Sequence, residues 1–97
     1  MIRHCVMLRL PDGYDSAELE TVMQGLADLV AELDGASGFV AGPNRDFENK
    51  TAAYPYGFTI DFDDPDALAR YAGDPDHAAL GGRLVSLCDG GADGIAV

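Results

Sequence analysis

Residues 54–80 read YPYGFTIDFDDPDALARYAGDPDHAAL, a strand followed by two short helices. Tyr54, Tyr56, Phe58, Ile60 and Phe62 alternate with Pro55, Gly57, Thr59 and Asp61. That is period two, the pattern of a strand with one apolar face. Pro55 brings no ladder donor, which suggests an edge strand or a strand start. Asp64 can cap a helix with Pro65 at its first position. Gly73 can end that helix, and Asp74-Pro75 opens another. The first helix turns Leu68 and Tyr71 inward, and the second places Leu80, Leu84, Leu87 and Cys88 on one side. Gly81-Gly82 weakens the second helix and suggests close approach of another backbone or of a ligand. Tyr71 therefore stands near the end of one helix and His77 in the first turn of the next. A bend between them would turn both toward one cavity.

Upstream, Ile2, His4, Val6, Leu8 and Leu10 alternate with Arg3, Cys5, Met7 and Arg9, a strand ended by Pro11-Asp12-Gly13. One histidine thus sits on an apolar face. Asp15 or Ser16 can cap the next segment, and Glu18 completes a capping-box pattern from Asp15. Leu19, Val22, Met23, Leu26, Leu29, Val30 and Leu33 follow at spacings of three and four, an amphipathic helix stopped by Asp34-Gly35. Ser37 to Gly42 reads as a short strand. Residues 43–53, PNRDFENKTAA, read as a long, mobile, solvated loop. Asp89 to Gly94 is a turn, and Ile95-Ala96-Val97 forms or starts a last strand.

The order is β-α-β-β-α-β, with the second α split in two. That is the ferredoxin-like α+β pattern, a four-stranded antiparallel sheet with helices on one face. The helix-facing side would carry His4, Val6, Leu8, Tyr56, Phe58 and Ile60. The opposite side would carry Cys5, Met7, Gly57 and Thr59 among charged residues. That second face is neither fully polar nor a complete core, and covering it with another copy of the chain by two-fold symmetry is one solution.

The 97 residues make one domain, 1–97, with no internal repeat and no boundary. The net charge of −11 repels polyphosphates, which argues against nucleic acid and against an anionic membrane surface as partners. Cys5 and Cys88 show neither metal spacing nor a disulfide framework. They read as buried free thiols in a reducing compartment, and the protein as cytoplasmic. No apolar run reaches membrane-spanning length. No His/Cys/carboxylate cluster has zinc spacing, no glycine loop for phosphate follows a strand, and no Ser-His-Asp set stands out, so no metal or cofactor is expected.

The opening MIRHCVMLRL, the long capped helix and the run YPYGFTIDFDDPDALARYAGDPDH together resemble the Dabb family, the stress-responsive dimeric α/β-barrel domains. The most specific parts are the IRH start and the Y-x-x-x-P-x-H stretch of Tyr71, Pro75 and His77. The resemblance covers essentially the whole chain. It implies a ferredoxin-like protomer, a homodimer whose sheets face each other as a barrel, and a cavity between sheet and helices. One branch of the family, the plant olivetolic acid cyclases, closes a linear polyketide thioester by aldol chemistry without a cofactor. Its acid-base pair falls on positions matching Tyr71 and His77, and His4 matches another pocket histidine. A third pocket histidine is replaced here by Tyr56, which donates a hydrogen bond but titrates much higher.

These residues suit proton transfer on a carbon acid. Histidine, with an ordinary pKa of about 6.5, takes a proton near neutral pH, and a tyrosine hydroxyl steadies a developing enolate oxygen. The expectation is a small-molecule pocket with Tyr71 and His77 as the acid-base pair and His4, Val6, Leu8, Tyr56 and Phe58 as its lining, acting on a keto or aromatic acid. The alternative is a non-catalytic homodimeric stress or accessory protein whose cavity is filled by side chains.

Overall fold

A computed structural model describes all residues, 1–97. Strand β1 is Ile2–Leu8, helix α1 Ser16–Glu32, β2 Ala36–Pro43, β3 Tyr56–Phe62, α2 Pro65–Ala72 and α3 Pro75–Leu87. A single 3₁₀ turn, Gly91–Gly94, leads into the two-residue strand β4, Ile95–Ala96. The sheet is antiparallel in the order β2-β3-β1-β4. This is the ferredoxin-like arrangement expected from the element order. The core lies between one sheet face and the helices. Val6, Leu8, Phe58, Ile60 and Phe62 from the strands meet Leu19, Val22, Leu26, Leu29 and Val30 of α1, with Tyr71 and Leu84 from the later helices. Each such aliphatic or aromatic side chain stabilises the fold by about 1.5–3 kcal/mol on burial.

The three helix starts are built as their residues dictate. The Asp15 carboxylate accepts from Glu18 N–H at 3.1 Å. Asp64 accepts from Ala67 N–H at 2.9 Å, and Asp74 from Asp76 N–H at 2.8 Å and His77 N–H at 3.2 Å. Pro65 and Pro75 fill first-turn positions where no N–H is needed. The capping box of α1 is only half made. The Glu18 carboxylate is taken by Arg83 of α3, whose Nε lies 3.0 Å away, so it ties two helices instead of closing its own.

Several expectations are corrected. Pro55 marks a strand start but not an edge, because β3 lies between β2 and β1. Strand β1 stops at Leu8, although Arg9 still donates to Gly94 C=O at 2.7 Å and accepts from Asp89 N–H at 2.8 Å. Strand β2, Ala36–Pro43, runs one residue further at each end than expected and carries a bulge. Ser37 pairs with Asp61 and Val40 with Thr59, so one extra residue bulges out, and Gly38 takes it up with φ +65°. Cys5 is exposed on the open sheet face, as its odd position on β1 requires, and only Cys88 is buried. Nothing approaches Gly81 or Gly82 closely. The close approach is at Gly25 of α1, where a Cβ would meet Leu80 Cδ2 at 2.8 Å.

The segment between β2 and β3 is an ordered turn rather than a featureless loop. The Asp46 carboxylate accepts from the N–H groups of Glu48, Lys50 and Thr51 at 3.0, 2.6 and 2.5 Å and from Thr51 Oγ1 at 2.8 Å. Asn44 Nδ2 closes its base by donating to Thr51 Oγ1 at 2.9 Å and Tyr54 C=O at 3.0 Å. Asn49 adopts φ 56°, the left-handed region that asparagine tolerates.

Candidate functional site

Tyr71, His77 and His4 come together from three elements. Tyr71 lies in the last turn of α2 and His77 in the first turn of α3. The Asp74 cap fixes the corner between them and leaves the two rings 4.1 Å apart, centroid to centroid, tilted by 40°. His4 rises from the helix-facing side of β1 and meets Tyr71 at 6.0 Å, edge-on at 67°. The phenol thus packs beside two imidazoles. Phe62 walls the group, 5.2 Å from Tyr71 and 6.2 Å from His4. Its part was not foreseen, though its even position in the β3 alternation was the available signal.

The electrostatics separate a donor from an acceptor. Tyr71 is 2% exposed. Burial pushes its hydroxyl up to about 12, so at neutral pH it keeps its proton and can only donate or accept hydrogen bonds. His4 is half-buried. Burial first, and the charge of His77 second, draw its pKa below the ordinary histidine value, so it is held neutral and ready to accept a proton. The Nδ1 of His77 is buried without a hydrogen-bond partner. Such a group costs about 1–3 kcal/mol when left unmade, and it is the open valence of the cluster.

The remaining residues expected at the site are placed differently. Leu8 is fully buried, and Val6 and Phe58 nearly so, all three within the packed core. Tyr56 stands apart. It pairs with Leu8, four residues along β1 from His4, or about 13 Å at strand rise. Burial raises its pKa, and Tyr14 and Glu20 nearby add to the rise. None of the four main hollows of the protomer is lined by His4, Tyr71 or His77. One of these hollows, about 450 Å³, lies on the opposite, open face of the sheet over Cys5, Met7 and Thr59. No group of three or more His, Cys, Asp or Glu side chains is placed to hold a metal ion. No helix is long and apolar enough to cross a membrane.

Comparison with known proteins agrees with this fold. The family model of the stress-responsive A/B barrel domain (Dabb) matches residues 2–92. A curated relative, the stress-response A/B barrel domain-containing protein HS1 of Arabidopsis thaliana, is 26% identical over 76 residues, 78% of this chain and 70% of that protein. A dimeric ferredoxin-like protein of unknown function from Jannaschia sp. CCS1 superposes with a TM-score of 0.91 at 45% identity, covering 97% of this chain and 91% of the other. The hydroxynitrile lyase of Passiflora edulis shares the fold, with a TM-score of 0.76 at 11% identity over 90% of this chain and 82% of its own.

Proposed function

This chain belongs to the family of stress-responsive A/B barrel (Dabb) domains, and on that premise we propose that it works as a homodimer that holds a small keto or aromatic acid at the His4–Tyr71–His77 cluster and moves protons on it without a cofactor. The observation that carries the reading is the buried phenol beside two imidazoles, one of them with an unpartnered Nδ1. A neutral imidazole takes the proton from a carbon flanked by carbonyls. The Tyr71 O–H, which burial keeps protonated, donates to the oxygen on which negative charge develops. Help of this kind is worth about 10²–10⁴ in rate. It serves aldol closure, decarboxylation or elimination equally well. The Passiflora lyase supports only the point that this fold has room for a catalytic site. The dimeric state of the Jannaschia neighbour supports the homodimer, formed over the open sheet face. The exposed, unpaired thiol of Cys5 suits a reducing compartment such as the cytoplasm.

A second reading is favoured by the packing. Because Tyr71 is buried and no main hollow opens at the cluster, the same residues would serve a non-catalytic dimeric accessory protein as a filled core. An NMR titration with β-keto and aromatic carboxylic acids separates the two. Saturable shifts on His4, Tyr71 and His77 support the binding site. Unmoved signals at millimolar ligand would leave the accessory reading.

A further inference from the structure

Phe47 is the most exposed large apolar side chain of the protein, at 95%. An exposed aromatic on a floppy loop means little. This one stands at the tip of a turn whose shape is already set. The neighbouring carboxylate of Asp46 is occupied by four donors, and the base is pinned by Asn44. The ring is therefore held out to solvent by a preorganised support, at no further cost in loop ordering when something covers it.

Charge narrows what that something is. The chain carries 17 acidic side chains against six Lys and Arg. Yet the groove on the open sheet face is lined by no Asp or Glu, and its only charged residue is Arg45. Arg3, Lys50 and Arg83 each pair with a carboxylate, whereas Arg45 has none. The carboxylates beside Phe47, Asp46 with its donors and Glu48 3.4 Å from Lys50, would approach a groove whose one charge is positive. Two copies at −11 each repel unless they meet where carboxylates are missing on one side, and this groove is such a place. Its wall includes Asn44, Arg45, Thr51 and Tyr54 from the foot of the same loop. Loop and groove thus flank one face. Val40, 65% exposed on β2, adds uncovered apolar surface to the groove. A knob and a hollow on one face are what a self-complementary, two-fold contact requires.

We propose that Phe47 of each copy seats in the carboxylate-free groove of a second copy, against Val40, and is the anchor of the dimer. The groove, about 450 Å³, accommodates a phenyl ring. This rests on the homodimer reading above and adds to it the residue that carries the contact.

The test is sedimentation equilibrium of the full chain, comparing wild type with Phe47→Ala, Val40→Ala and the double variant. Because Phe47 touches little of its own protomer, Phe47→Ala leaves the circular dichroism spectrum unchanged. The expected result is a dimer Kd raised at least about tenfold by Phe47→Ala, as for a central aromatic anchor. The effects of the two single substitutions should also fall short of multiplying in the double variant, by at least about threefold, because contacting residues couple. A wild-type protein that stays monomeric at the highest concentration overturns the dimer reading and the anchor with it. A dimeric wild type whose Kd is unmoved by Phe47→Ala overturns the anchor alone. A weakened Phe47→Ala dimer with fully multiplicative effects overturns the seat against Val40.

Discussion

The ring of Tyr71 lies 4.1 Å from that of His77, across the Gly73–Asp74 break that separates α2 from α3. A single continuous helix would put residues six apart on different faces; the break lets both point into one cluster. The proposed division of labour follows from it. Tyr71→Phe keeps the buried ring and removes only the donor. It should leave the urea midpoint nearly unchanged while lowering any turnover of a β-keto acid by about 10²–10⁴. His77→Ala should also lower that turnover, by removing one of the two imidazoles that can take the proton. Turnover that survives both substitutions would remove the pair from the chemistry.

The half-buried His4 gives the fold a pH dependence of definite sign. Burial, then the charge of His77, lowers its folded pKa, so below the unfolded value of about 6.5 the unfolded chain binds the proton more readily. Stability is full above that value, declines as pH falls through it, and the loss is complete once pH is below the folded pKa. Urea midpoints measured from pH 8 to pH 5 should therefore fall toward the acid end, and His4→Phe should flatten that part of the curve. Glu18 and Asp61 are held low by Arg83 and Arg3, so they lose their charge only at still lower pH and do not confuse the reading.

Much of this was legible in the chain. The alternation around Phe58 and the two Asp-Pro starts fix β3, α2 and α3, because period-two alternation and capping are local properties. Tyr71 and His77 could be named from the same stretch. That His4 joins them depends on β1 pairing with β3 in the register His4↔Ile60, which no local pattern reveals. The bulge at Gly38 was hidden for the same reason, since a bulge exists only relative to its partner strand. Cys5 was misjudged because its apolar neighbours masked its odd position. The order in residues 43–53 was missed because it is made by one carboxylate gathering donors up to five residues away, in a stretch whose composition alone reads as solvated loop.

Gly57 offers a test of the sheet itself. It faces Met7 across the β1–β3 ladder, and a Cβ there would meet the Val6 carbonyl oxygen at 2.7 Å. The obstacle is backbone held in a ladder, so it cannot rotate away. Gly57→Ala should destabilise by about 1–3 kcal/mol, the usual cost of overpacking. Gly42→Ala, on the neighbouring strand β2 with open space around its Cβ, should be neutral or stabilising by about 0.4–1 kcal/mol through a less free unfolded chain. Equal urea midpoints for the two variants would show that the strands separate more easily than the ladder suggests.

Asp46 should control the loop without controlling the fold. Its hydrogen bonds to Thr51 above all, and then to Lys50 and Glu48, hold its carboxyl at about 2, so the turn stays closed at pH 4. Asp46→Ala removes every one of these acceptors at once. Amide hydrogen exchange at Lys50 and Thr51 should then accelerate by at least about tenfold, while amides in β1 and β3 keep their protection, because the loop contributes nothing to the core between sheet and helices. Asp46→Asn should fall between, since its amide oxygen still accepts but without charge. If the rigid support is what presents Phe47, Asp46→Ala should also weaken self-association, by less than Phe47→Ala does, because the ring is still present but must be ordered as it docks. Fast exchange at Lys50 and Thr51 already in the wild type would show that the turn is not preorganised, and the dimer would then owe nothing to Asp46.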